Sequence, residues 1–215
     1  MKKSLLFLCA LALCSVNLFA QQTKNRVTSP AHTYQTHTPM EAPVSLMKIF
    51  SNLGPKTSAF TGSAYFFNGP LSVSGQQWIA MAFTPKVNAT VKQVQAAAQY
   101  NSSGANQANF SLYSDNAGAP GTLLAGPITV TNLPTYFTCC TLAVANFSTG
   151  VAVTAGTQYW VVGDTPTSGL GSDSEGVWSF VPPSKLRAAA NQTGTWFGFQ
   201  ASIQEPAGAV YGTIP

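Results

Sequence analysis

The sequence predicts an all-β fold: a single antiparallel β-sandwich of jelly-roll type, with roughly ten short strands and a flexible N-terminal arm. Three observations lead there. From about residue 60 onward, β-prone runs of about five to nine residues alternate with clusters of Gly, Pro, Asn and Asp. Several of these runs place apolar residues at every second position, the period of a strand with one buried face. No succession of strands and amphipathic helices appears, so a parallel sheet is not expected.

Residues 1–20 read as a secretory leader. Lys2 and Lys3 precede an apolar stretch from Ser4 to Val16, and Leu18-Phe19-Ala20 sets a small residue before Gln21, so cleavage is expected between Ala20 and Gln21. The stretch falls short of the roughly 20 apolar residues that cross a bilayer. Residues 21–54 are read as a polar, flexible lead-in punctuated by Pro30, Pro39 and Pro43, with Val44 to Phe50 as a short helical turn or first strand. Residues 55–215 are then the sandwich. Its expected strands are SAYFF, QQWIAMAFT (Ile79, Met81 and Phe83 on one face), TVKQVQAAAQY, ANFSLYS (Phe110 and Leu112 on one face), PITVTNL, TLAVANFS, TQYWVVGD, GVWSF and GTWFGFQASI. Later segments are too short or too polar to span a membrane, and the final EPAGAVYGTIP has neither a hydrophobic tail nor a basic end, so release to the periplasm or medium is expected.

Composition narrows the function. Charged residues make up 7% of the chain, against about 25% in typical soluble proteins. Thr, Ser, Asn, Gln and Gly supply the polar surface instead. The formal charge is +4. Without Lys2 and Lys3, eight basic residues face six acidic ones, a net of about +2, and the basic residues are scattered. Nucleic-acid binding needs a basic footprint and is not expected.

The ordered segments FSNLGP, WIAMAFTP, TVKQVQAA, FSLYSDNAGAPGTLLAG, CC and VTAGTQYWVVGD carry a resemblance. Together they are similar to bacterial extracytoplasmic domains of the "choice-of-anchor" type, over about residues 49–204, with SDNAGAPG and AGTQYWVV the most specific pieces. The resemblance implies an export-linked β-sandwich. It implies no activity and no catalytic residues. Such proteins often end in a C-terminal sorting signal, which this sequence does not carry.

Few residues invite a chemical reading. In SDNAGAPG, Asp115 and Asn116 offer calcium too few carboxylates. The packing alternative is a hairpin in which Asp115 opens the turn, Gly118 takes positive φ and Pro120-Gly121 forms a second turn. In GSDSEG, Asp173 and Glu175, with Asp164 upstream, are the carboxylates a glycosidase would need, against the alternative of a solvated loop. His32 and His37 lie in the lead-in, and no set of four metal ligands is apparent. No cofactor and no metal is expected. Adjacent Cys139 and Cys140 are a candidate vicinal disulfide. Their Cα atoms stand about 3.8 Å apart, below the usual disulfide span of about 4.4 Å or more. The bridge would therefore be strained and need a tight turn, and the alternative is two small packed thiols. Trp78 and Trp160 sit in alternating strands and are expected in the core. Trp178 and Trp196 border Gly-rich loops and are the candidate ligand-stacking residues, although Trp also completes a sandwich core well.

The expected function is a non-catalytic, secreted binding or surface-associated module. Polysaccharide or cell-surface material is the expected partner. A structural or matrix protein working through protein contacts is one alternative, and a secreted glycoside hydrolase another.

Overall fold

The computed structural model describes residues 26–27, 46–54, 60, 62–137, 141–181, 188–192, 194–198 and 204–215. The leader with Ala20 and Gln21, both histidines, and Cys139 and Cys140 lie outside the described residues. Among the described residues fourteen strands run in order: β1 (Arg26–Val27), β2 (Met47–Ser51), β3 (Ala64–Asn68), β4 (Trp78–Phe83), β5 (Ala89–Ala96), β6 (Ala98–Ser103), β7 (Gln107–Asn116), β8 (Ala119–Thr131), β9 (Ala143–Val153), β10 (Tyr159–Asp164), β11 (Glu175–Ser179), β12 (Ala188–Asn191), β13 (Trp196–Gly198) and β14 (Gly208–Thr213). They form three antiparallel sheets, ordered β1-β3-β11-β6, β13-β12-β4-β10-β7-β8 and β2-β14-β5-β9. Among the described residues no helix is long and apolar enough to cross a membrane.

The main core fills the space between the sheets. Ile49, Val91, Val94, Phe147 and Val210 from one four-stranded sheet meet Ile79, Met81, Phe83, Phe110, Leu112 and Val161 from the six-stranded sheet, with Phe67 and Trp178 from the third. The inward faces expected for QQWIAMAFT and ANFSLYS are the ones observed. Of the two readings for Val44 to Phe50, the described part is a strand. Met47–Ser51 pairs with β14 and buries Ile49, so this part of residues 21–54 is a strand of the domain.

TVKQVQAAAQY is not one strand. It pairs with β14 and β9 as β5, then passes through Ala97 and pairs with β11 as β6 in another sheet. Ala97 makes the corner: its N–H donates to Ala207 O (2.9 Å) and its carbonyl accepts from Ser179 N (3.0 Å). Ala96, Ala97 and Ala98 are all fully buried, and only short side chains let the chain fold between two sheets at that density.

SDNAGAPG is a hairpin turn, as the packing reading expects, with a difference. Ala117 (φ 52°) and Gly118 (φ 89°) are the two turn residues, which gives the left-handed pair that matches strand twist in a tight hairpin. The Asp115 carboxylate accepts the Gly118 N–H at 3.2 Å. Pro120-Gly121 is not a second turn. β8 has already begun, and Pro120 stands opposite Asp115. The proline is tolerated because β8 is the outermost strand of its sheet.

Candidate functional site

The six-stranded sheet buries one face in the main core. Its other face carries a separate cluster: Ala80, Ala82, Trp160, Val162 and Ala189, with Trp78, Tyr113 and Trp196 packed against it and partly exposed. Alternation explains the division. With Ile79, Met81 and Phe83 facing the core, Trp78, Ala80 and Ala82 must face outward.

Strand register arranges this outer face in rows. Trp196 stands opposite Asn191, and Asn191 opposite Trp78. β10 pairs Gly163 with Ile79, so one further residue of the same register sets Asp164 beside Trp78. Asp164 stands opposite Asn109, and Asn109 opposite Thr129. One row across the sheet therefore reads Trp196, Asn191, Trp78, Asp164, Asn109, Thr129. The next row is small, with Ala189, Ala80, Val162 and Ser111. The third is Ala82, Trp160, Tyr113 and Leu123. Every residue of the small row is at most 2% exposed. It is a floor with the rings of Trp78, Trp196 and Tyr113 packed over it.

Polar groups are held firmly along the first row. Thr129 Oγ1 donates to Asn109 Oδ1 at 2.8 Å, which leaves the Asn109 amide to hydrogen-bond the Asp164 carboxyl. Burial pushes the Asp164 carboxyl up to about 7, with the Asn109 bond pulling the other way. Tyr113 is raised as well, first by burial and then by the charge of Asp164. Asn191 Oδ1 accepts the Gly194 N–H at 2.8 Å and so shapes the turn that delivers Trp196. The Trp78 indole N–H is buried without an acceptor.

Trp160 is fixed from the far side. Asp115 Oδ1 accepts from its Nε1 at 2.8 Å and from Gln158 Nε2 at 2.6 Å. One carboxylate thus closes the hairpin turn and anchors a fully buried indole. Asp115→Ala is expected to destabilise the fold by about 1–3 kcal/mol, the cost of a buried donor left without a partner. Urea unfolding checks this. In the Trp160→Phe background, which has no N–H to strand, the Asp115→Ala loss should shrink.

The structure redistributes the residues singled out in the sequence. Trp160 is buried as expected, but in the outer cluster, and Trp78 is a partly exposed member of the first row. Trp196 does reach the surface region, 6.2 Å from Trp78 between ring centroids. Trp178 does not. It is fully buried, donates its N–H to Ala207 O at 2.8 Å and meets Phe110 edge-on. Neither of its faces is open to a ligand.

The three carboxylates of the hydrolase reading do not gather on one loop. Asp164 ends β10 and projects from the outer face of the six-stranded sheet, while Glu175 opens β11, is 5% exposed and accepts the Ser74 N–H. Glu175 shares its face with Val177, opposite to the face of Trp178 and the core. Asp173 is exposed between them. Asp115 shares a face with Asp164 but lies six residues further along β7 from Asn109, on the order of 20 Å away at strand spacing. A glycosidase pair stands about 5–9.5 Å apart. A cleft of about 210 Å3 is lined by Val130–Pro134 and Thr141–Val144, and none of these described residues has an ionisable side chain. No group of three or more His, Cys, Asp or Glu placed to share a metal occurs among the described residues.

Comparison with known proteins finds neither a family model nor a curated protein that matches this chain.

Proposed function

We propose that the protein is an exported, non-catalytic binding module whose ligand is a glycan, taken on the outer face of the six-stranded sheet. The observation that carries this reading is the row in which partly exposed Trp78 and Trp196 adjoin Asp164, Asn109 and Thr129. Sugars present an apolar face bordered by hydroxyls. Indole rings supply the matching apolar surface, and the Asp164 carboxyl and Thr129 hydroxyl, fixed by buried Asn109, supply hydrogen bonds that set orientation. The leader and the sparse charge of the chain support export, as does the resemblance carried by the quoted segments. The placement of Asp164 on the outer face of the six-stranded sheet, Glu175 buried on another sheet and Asp173 exposed in a turn favours binding over hydrolysis.

The test is binding of the purified protein to an array of immobilised bacterial and plant polysaccharides. Wild-type protein is expected to bind, and Trp196→Ala and Trp78→Ala to lose about tenfold or more in affinity, one to two kcal/mol of stacking. A chelator should leave binding intact, and a chelator-sensitive signal would point to a metal instead.

One observation favours a second reading, protein contact in a matrix or surface layer. Leu71, Val73 and Leu170 are 72%, 93% and 80% exposed at one end of the molecule. Leu71 N donating to Ser172 O (2.9 Å) ties their loops together, and Gln107 Nε2 of β7 donating to Leu170 O (2.9 Å) holds the second loop to the sheet. If no polysaccharide binds, this end is the surface to mutate next.

A further inference from the structure

We infer that the glycan taken by this face is a neutral, soluble single chain, neither a crystalline array nor a polyanion. The inference rests on the glycan reading above and comes from ring geometry and charge.

The Trp78 and Trp196 ring planes are inclined by 54° with centroids 6.2 Å apart. A sugar stacks with its apolar face parallel to the indole. A crystalline surface holds its sugar rings in a common plane, so it can lie flat on one of these rings but not on both. A single chain turns about its glycosidic bonds and can follow both rings, which are close enough to address one unit or two neighbouring ones.

Charge removes a second class. The row from Trp196 to Thr129 contains one ionisable side chain, Asp164, and no Lys or Arg. The adjoining rows add only Tyr113. Among the described residues of these rows a polyuronate or sulfated chain would find no cation for the charge-assisted bonds that anchor anions, and ionised Asp164 would repel it. Neutral hydroxyls find the Asp164 carboxyl, which can accept and, when protonated, donate, together with the exposed Thr129 hydroxyl, and buried Asn109 holds both in place.

Three sets of ligands separate the possibilities. Affinity electrophoresis would use gels containing a galactomannan, a mixed-linkage β-glucan or a xylan. Depletion would use microcrystalline cellulose and chitin, and then alginate and polygalacturonate gels. The expected result is retardation by at least one neutral soluble chain, reduced about tenfold by Trp78→Ala and by Trp196→Ala, with no depletion that either substitution abolishes. Retention only on the crystalline or anionic materials, lost in those variants, would overturn this inference and leave the glycan reading in place. No retention by any carbohydrate would overturn both.

Discussion

Raising the pH from about 4 to about 8 should weaken the fold by up to about 4 kcal/mol through Asp164 alone. Burial holds this carboxyl at about 7 in the folded protein, against 3.8 for an unhindered aspartate. Between those values the native state keeps a proton that the unfolded chain has released. Stability from this group is therefore fully present below about 3.8, falls as the pH rises through the window, and is gone above about 7. Asp164→Asn keeps an oxygen to accept from Asn109 and removes the titration. Urea midpoints measured at closely spaced pH values should slope downward between pH 4 and 7 for the wild type and lose most of that slope in the variant, which should be the more stable at pH 8. An unchanged slope would place the linkage elsewhere. The same proton bears on the proposed ligand, because a protonated Asp164 can donate to a sugar oxygen and an ionised one cannot.

Trp178→Ala should cost about 3–5 kcal/mol, the range for deleting a large buried aromatic. The thermal midpoint should fall on the order of 10 °C for a domain of this size. The ring lies where all three sheets meet. It donates to Ala207 beside β14, meets Phe110 of β7 at 5.6 Å edge-on and covers Gly163 of β10. A Cβ added to Gly163 would sit 2.9 Å from the Trp178 ring carbons, so glycine is required there for the close approach. Trp178→Phe keeps most of the volume and leaves the Ala207 carbonyl still bonded to the Ala97 N–H, so the lost indole bond should cost about 0.5–1.5 kcal/mol. It remains informative if the alanine variant fails to fold. Trp196→Ala should be the milder change in the same assay, since its ring is partly exposed. Comparable losses at Trp178 and Trp196 would mean that both are core residues.

The fold class was legible because the signals that define it are local. Period-two alternation in QQWIAMAFT and ANFSLYS and the turn chemistry at Asp115–Gly118 follow from strand geometry alone. Other parts depend on neighbours distant in the chain. β12, which reads AAAN, contains no bulk or β-branching, and in β14, which reads GAVYGT, two glycines and an alanine dilute Val210, Tyr211 and Thr213, so both carry only a weak strand signal. Their pairing partners β5, β2, β4 and β13 make them strands. The corner at Ala97 is invisible for the same reason, because an unbroken alternation does not record a change of sheet. Trp178 sits in a five-residue strand with every side chain buried, and alternation cannot say which side is covered when both are. Trp78 was the readable miss. The parity that sends Ile79 inward sends Trp78 outward. Asp164 could be singled out as a carboxylate, but its place beside Trp78 and Asn109 follows only from the register of three strands.

The passage of one continuous segment from β5 through Ala97 into β6 also bears on how the protein comes apart. Neither sheet can peel away while the other stays whole, because the chain between them has no slack: the residues on both sides of the corner are paired, and Ala97 itself is bonded to Ala207 and Ser179. Opening one sheet pulls directly on the ladder of the other. The two four-stranded sheets therefore share a single cooperative unit, and the six-stranded sheet packs its core face against both.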